Sequence, residues 1–543
     1  MSTVTSAAQG QLAAARSDSS WIVLSLLGGW EEDSSRAAGM RDRAGSGPSL
    51  FRSPLASLDR RTSNGLTLGF QLVAPRIAGT YNAAIPQVAN DGGMWAGKGT
   101  NLSAMGGFVA SRGRWLVVFA PEIFASANRP FDGIPDYIVP PSRRPSNPFN
   151  SPFHDGPATI DLPFRFGAEQ IVRATLGQSS ASVTLGSVRA ALGTENHWWG
   201  PGVRNALLLS SNAQGFPHLA LGNARPHSTR AGLFEWRWLV GGLSESEYYD
   251  ADASNDVRSF SAAAVDWSPV AAPMLHVGLA RAVFAPVSGW SRVPFRLLDV
   301  LADVGNPNER PAGDSTRKRG RDQLFSVFAR LRFPSDGAEA YGEWARSSQP
   351  KSLRDLITDP AHSQGYTVGM RWLGALRGNG RYAGALSVEA ELTNLEVGAS
   401  ATRRATNSFY VSRAVEQGYT NRGEVIGAGI GPGGSSQWVA LDWLSTRWQA
   451  GANLNRVRWE NDAYFDVIPR IAENLDNAWC QHDVTFAPGA RASMATRYGR
   501  ISALATSGRR YNMFFEHALF CPSTGLGREE STGSLSLTFS VRP

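Results

Sequence analysis

Cysteine is almost absent from this chain: Cys480 and Cys521 are the only two among 543 residues. That scarcity excludes a disulfide-stapled scaffold, and the pair matches no zinc or CxxC spacing. In an oxidising envelope the two are a candidate disulfide between neighbouring loops, and in a reducing compartment they stay free thiols. Charge is sparse too, at 18% of residues against about 25% in ordinary soluble domains. No run approaches the ~18 consecutive apolar residues of a spanning helix, which excludes a helical membrane protein. The net charge of +7 comes from arginine rather than lysine, and basic clusters are few. The densest, Arg317-Lys318-Arg319-Gly320-Arg321, is one short run. That argues against a nucleic-acid partner and fits a loop tip that meets acidic polysaccharide or lipopolysaccharide phosphates.

A leader is also missing. An exported chain opens on a basic segment, roughly 7–15 apolar residues and a cleavage site. Here residues 1–20 are polar and alanine-rich, and the apolar stretch Trp21–Leu27 runs into Glu31, Glu32 and Asp33. For an exported protein, that places the true start upstream of Met1, with Ser6–Gln9 as a cleavage remnant.

What the chain does have is tryptophan, glycine and alternation. It holds 17 Trp and 57 Gly, and its apolar residues recur with period two. Leu386, Val388, Ala390 and Leu392 interleave with Ser387, Glu389, Glu391 and Thr393. Leu535, Leu537, Phe539 and Val541 interleave with Ser534, Ser536, Thr538 and Ser540. A soluble sandwich buries such an apolar face, whereas a transmembrane barrel turns it to lipid and lines a wet lumen with the polar one. Arg330 with Arg332, and Glu389 with Glu391, favour a charged lumen wall, and closure removes the edges that so many strands would otherwise expose. The expected fold is all-β: a large closed antiparallel transmembrane β-barrel over residues 61–543, behind a short irregular or helical N-terminal segment, 1–60. The Pro-rich stretches Pro140–Pro148 and Asn306–Pro311 are loops of a length that usually serves function.

The densest stretch is Glu195–Leu219. Gly200, Pro201, Gly202, Gly215 and Pro217 are conformational residues that break and redirect the chain. Trp198, Trp199, Phe216 and Trp344 offer flat faces for pyranose rings, and Asn196, Asn205, Asn212 and Gln214 offer amides for hydroxyls. Arg204 and Arg225 suit uronic-acid carboxylates, and His218 and Glu343 complete the candidate polysaccharide-binding set. The same tryptophans also read as interior packing or an interface girdle, and His218 as a structural hydrogen-bonding residue. Asp161 and Arg165 are expected to form a luminal ion pair. His197 and His218 lack a third ligand at metal spacing, so no metal is expected, and no cofactor fingerprint or catalytic motif is present. Glu195, Glu235, Glu343 and Glu424 would serve glycoside hydrolysis only if two converged about 5–9.5 Å apart.

Four blocks, in order, carry a resemblance. They are Ile160–Gly167 followed by Leu176–Ser179; Glu195–Leu219 extended by Arg225-Pro226 and Gly232–Glu235; Tyr341–Trp344; and Gly418–Gly427. Together they resemble the capsule assembly Wzi family over most of the chain. The resemblance implies a cell outer-membrane barrel of about 18 strands, non-enzymatic and lectin-like, that attaches or assembles capsular polysaccharide or exopolysaccharide at the cell surface. It also implies outer-membrane lipids and the capsule export machinery as partners. Family members carry a periplasmic helical element at the N-terminus, which residues 1–60 are too short to reproduce fully. The competing readings are a substrate-selective porin and, behind it, a polysaccharide-modifying enzyme. An open, hydrated lumen favours the porin; a lumen filled by inward loops that include 195–219 favours the anchor.

Overall fold

In the strand Asp322–Phe333 the period-two pattern becomes geometry: Leu324, Ser326, Phe328, Arg330 and Arg332 turn to the buried side, and Val327, Leu331 and Phe333 to the exposed side. The strand pairs antiparallel with Leu275–Pro286 on one flank and Ala338–Arg346 on the other. Neighbour pairing of this kind continues around the chain until Ser534–Val541 pairs with Gly69–Asn82, Phe539 opposite Ile77. The result is a closed antiparallel barrel of 18 staves. Some staves are two collinear pieces, such as Trp115–Phe119 and Glu122–Ser126, interrupted at Pro121, which cannot donate to the ladder. The computed structural model describes residues 21–28, 49–58 and 69–541 with short internal gaps, the longest at 309–319, 377–383, 467–481 and 516–528; between 29 and 48 it describes Glu32, Arg36 and Met40. Cys480, Cys521 and basic residues 317–319 lie outside the described residues.

The outer face is apolar. Phe70, Ile77, Ile123, Leu192, Leu279 and Leu537 all stand exposed on it, and Phe234 stacks on Trp267 near one rim. An apolar belt with aromatic rims on a closed barrel is the surface a bilayer requires. The two ends differ in their connections. At one, turns such as 113–114, 186–187 and 334–337 join the strands; at the other lie the long segments 83–98, 127–170, 287–321 and 395–434. In membrane barrels of bacteria, the short turns face the periplasm and the long loops face outward. One of these loops bends back over the wall: the 3₁₀ segment Trp290–Leu301 lies on the outer face, where the Leu297 carbonyl accepts from Trp238 Nε1 and from Ser261, both at 2.8 Å. Phe295 and Leu298 point away from the barrel there and are exposed.

The lumen is packed rather than wet. Segments 194–217 and 395–434 run inside the wall, and the described part of 21–58 joins them from the short-turn side, so this part of the expected N-terminal segment packs as one body with the barrel. Leu207, Leu208, Tyr410, Tyr419 and Ile426 form one apolar cluster with the inward wall residues Phe260, Phe284 and Phe328. The strands Val257–Pro269 and Leu275–Pro286 therefore depart from the polar-inside pattern: Ala262, Ala264, Ala280 and Ala282 face the plug. The adjoining sector, from Asp322–Phe333 to Gly384–Asn394, is charged, as the sequence indicates, but dry. Arg330 and Arg371 are 0% and 1% exposed, and Arg371 pairs with Glu389 at 2.6 Å. At the long-loop end a separate core of Ile85, Ile138, Phe153, Tyr464 and Phe514 roofs the mouth.

Candidate functional site: the luminal plug

The plug turn is built by backbone groups that find partners on the wall. Trp198-Trp199 forms a two-residue ladder with Phe51-Arg52. Gly200 follows at φ 101°, and a Cβ there would lie 2.8 Å from Glu343 Oε2, so only glycine fits. The Pro201 carbonyl accepts from Arg36 at 3.1 Å, and that of Gly202 from Trp198 Nε1 at 3.0 Å and from Arg52. The next three amides, of Val203, Arg204 and Asn205, all donate to the Glu391 carboxylate, at 2.6, 3.1 and 2.8 Å. Tyr341 donates its hydroxyl to the same group at 2.8 Å. Three successive amides on one carboxylate form an anion nest, here with the anion supplied by the wall. Leu207 N–H donates to Glu343 at 3.3 Å.

On its other side the plug turn meets the loop 395–434. Tyr410 donates to the Leu207 carbonyl at 2.8 Å and Tyr419 to that of Leu208 at 2.9 Å, their rings stacked 5.6 Å apart. Asn212 Nδ2 donates to the Val425 carbonyl and Asn421 Nδ2 to that of Gln214, both at 2.9 Å. The blocks Glu195–Leu219 and Gly418–Gly427, distant in sequence, thus meet in the lumen. Burial pushes the carboxyl of Glu424, in this loop, well above its usual range, with nearby Asp91 adding to the effect.

This arrangement corrects most of the expected sugar contacts. Trp198 and Trp199 are 0% and 1% exposed, so neither presents a face to a pyranose. Trp198 packs with Leu27 and Ala206 under the Arg52 guanidinium, and Trp199 lies edge-on to Phe51. Asn196 donates to the Ala213 carbonyl and accepts from Gln178, and Asn205 donates to Ser436. Phe216 sits edge-on to Phe260, and Glu343 holds the plug from the wall. Gly215 abuts the Thr194 carbonyl, and the Pro217 carbonyl accepts from Gly242. Trp344 faces outward with its Nε1 on Gln364, 3.2 Å away, beside Phe325. Arg204 lies half-buried over the Trp438 ring. Asp161 does not pair with Arg165: it accepts from Ser246 N–H and Oγ, at 2.7 and 2.6 Å, while Arg165 donates to the Asn128 carbonyl. Burial raises the Asp161 carboxyl against those hydrogen bonds.

Of the candidate set, Arg225 alone is exposed; it stands at the rim of a cavity of about 130 Å³ toward the short-turn end. Phe51, Arg189, Glu235, Arg237 and Asp266 line that cavity. Sequence reasoning missed the residues that hold the plug: Glu391, Tyr410, Tyr419 and Arg52. The alternation around Glu391 did place its side chain in the lumen, but the amides it binds lie on a segment far away in sequence.

Fold and interior together define a transmembrane β-barrel whose lumen is occupied by its own chain, the kind of barrel that bacterial outer membranes hold. The profile of the family described as capsule assembly protein Wzi matches residues 80–506, and the chain belongs to that family. Among solved structures, the chain is similar to Wzi of Escherichia coli, an outer membrane protein involved in group 1 capsule assembly and described as a carbohydrate-binding β-barrel. Identity is 12%, the match covers 90% of this chain and 87% of that one, and the TM-score is 0.56. Pseudomonas putida OprB matches at 9% identity over 87% of this chain and 94% of that one, with a TM-score of 0.35, too faint to bear on function. No curated protein matches the sequence.

Proposed function

We propose that this chain is a non-enzymatic, lectin-like outer-membrane protein that binds capsular polysaccharide or exopolysaccharide and helps attach or assemble it at the cell surface. The observation that carries this reading is the filled lumen. Nearly all the polar and aromatic residues of the Glu195–Leu219 block are consumed in holding the plug, which leaves a platform in place of a solute pathway. The carbohydrate-binding relative and the family's role in capsule assembly support the same substrate class. Binding then falls to the roof of loops at the outward end, where Arg144 and the prolines Pro141 and Pro148 are exposed above the Ile138–Phe514 core. Arg225 remains a contact for an anionic sugar at the opposite end. Affinity arises from weak contacts multiplied by the repeat units of the polymer. The apolar belt, with Phe295 and Leu298 on its outer segment, meets outer-membrane lipid, and the capsule export machinery is the expected protein partner.

The test is binding of the detergent-folded protein to the polysaccharide of its source strain, run beside single-channel conductance on the same preparation. Saturable binding with little conductance is expected. Steady conductance without binding overturns the reading in favour of a porin.

A further inference from the structure

The sequence pairs His197 with His218 and offers no third ligand; the fold supplies one. The chain leaves the wall at the end of Val188–Gly193 and rejoins it at the start of His218–Asn223, and these two ends are paired, His218 opposite Gly193. Glu195 and His197, two residues apart just past the first of these ends, meet His218 at this seam. The two imidazole Nε2 atoms lie 2.9 Å apart, and Glu195 Oε2 stands 3.7 Å from His218 Nε2. All three candidate ligand atoms fall within 4.8 Å of one another.

Three further features mark the cluster as built to bind. His218 Nδ1–H donates to the Phe216 carbonyl at 2.8 Å, which fixes the tautomer and leaves Nε2 with its lone pair aimed at the cluster. Glu195 is 2% exposed, yet among the described residues its Oε2 has no hydrogen-bond partner. A buried carboxylate oxygen left this way is costly unless a cation completes it. Gly193 makes the room: a Cβ there would lie 1.9 Å from that same oxygen.

We propose that Glu195, His197 and His218 bind a divalent transition metal of the zinc class, clamping the two ends of the plug segment 194–217 to each other. Ligands at about 2.0–2.1 Å from a tetrahedral zinc stand a little over 3 Å apart, which the 2.9 and 3.7 Å separations bracket. Two imidazoles and one carboxylate suit zinc and exclude an all-oxygen calcium or magnesium site. His197 also lines the 130 Å³ cavity, so the fourth position opens toward it. The signal in the sequence is Glu-x-His with a distant His, which becomes legible only once the register of the two strand ends is known.

The experiment uses the detergent-folded full chain, stripped with chelator and then titrated with Zn²⁺ or Co²⁺ without any polysaccharide, so its outcome is independent of the proposed carbohydrate role. Wild type takes up one metal per chain by elemental analysis, shows a Co²⁺ ligand-field spectrum and melts higher with Zn²⁺. Glu195→Gln, close to isosteric, and His197→Gln each lower affinity at least about 100-fold and abolish the spectrum while still giving the folded-barrel mobility shift on a gel. A folded wild type that gives no Co²⁺ spectrum and no Zn²⁺ shift overturns the proposal. Equal binding in wild type and both variants does so as well.

Discussion

The wall and the plug of this barrel are held by different physics. Each wall strand repeats the same bargain along its length, with ladder hydrogen bonds to both neighbours, apolar side chains outward and the other face inward. Losing any one wall contact leaves dozens of equivalent ones. The plug has little internal secondary structure. It depends on particular groups, namely the Glu391 carboxylate, the Tyr410 and Tyr419 hydroxyls, and the two tryptophans. A closed sheet tolerates single changes because its stabilisation is spread out, whereas an irregular buried segment must find a named partner for each backbone group.

The strongest way to break this contrast is to empty the plug core. Replacing Trp198 and Trp199 together by Ala removes two fully buried side chains, at about 3–5 kcal/mol each. The loss should show as a lower urea midpoint for the plug and raised conductance, with the barrel still assembling. At temperatures where the variant stays folded, polysaccharide affinity should hold. Lost affinity with unchanged stability would return the tryptophans to the sugar site. Glu391→Ala should cost about half as much, about 3–5 kcal/mol, because three plug amides lose their acceptor at once. Faster proteolysis within 200–210 at unchanged strand content is the expected readout, and unaltered cleavage would show that the nest is dispensable.

The same contrast explains what could be read from the residues. Period-two alternation placed Glu389 and Glu391 inside, because that signal needs only near neighbours. The tryptophan pair was visible as a costly feature, and of its two readings, sugar stacking and interior packing, the structure takes the second. On a barrel wall two adjacent residues face opposite media, so one of the pair should be available. Inside the plug both faces of the segment are covered, Trp198 by Leu27 and Trp199 by Phe51. Asp161 and Arg165 failed to pair for a related reason: Ser246, at the outward mouth, satisfies the carboxylate first. Contacts between segments far apart in sequence leave no periodic trace.

Smaller changes sharpen the comparison. Tyr410→Phe keeps the ring stack on Tyr419 but deletes a hydroxyl that donates to the Leu207 carbonyl and accepts from Ala428 N–H, both at 2.8 Å. The expected loss is about 1–2 kcal/mol, read as a modest drop in the urea midpoint. A neutral result would assign the plug's stability to apolar packing alone.

The gentlest probe is pH, acting on the roof rather than the plug. Asp462 lies buried beneath the outward loops and accepts from Val397 N–H at 3.0 Å. Burial outweighs that hydrogen bond and the one from Ser408, and pushes its carboxyl up to about 7 from 3.8. A carboxyl raised on folding binds its proton more tightly in the native state, so folding takes up a proton between the two values. Its stabilisation is therefore complete below about pH 4 and fades as the pH rises toward about 7. Amide-exchange protection of residues 461–466 and 513–515, taken relative to the intrinsic rate at each pH, should be highest in acid and fall across that window, while the wall strands show no matching trend. Asp462→Asn, which keeps the shape and cannot ionise, should flatten the dependence. A variant with the wild-type pH profile would take the effect away from Asp462 and assign it to another group in the roof.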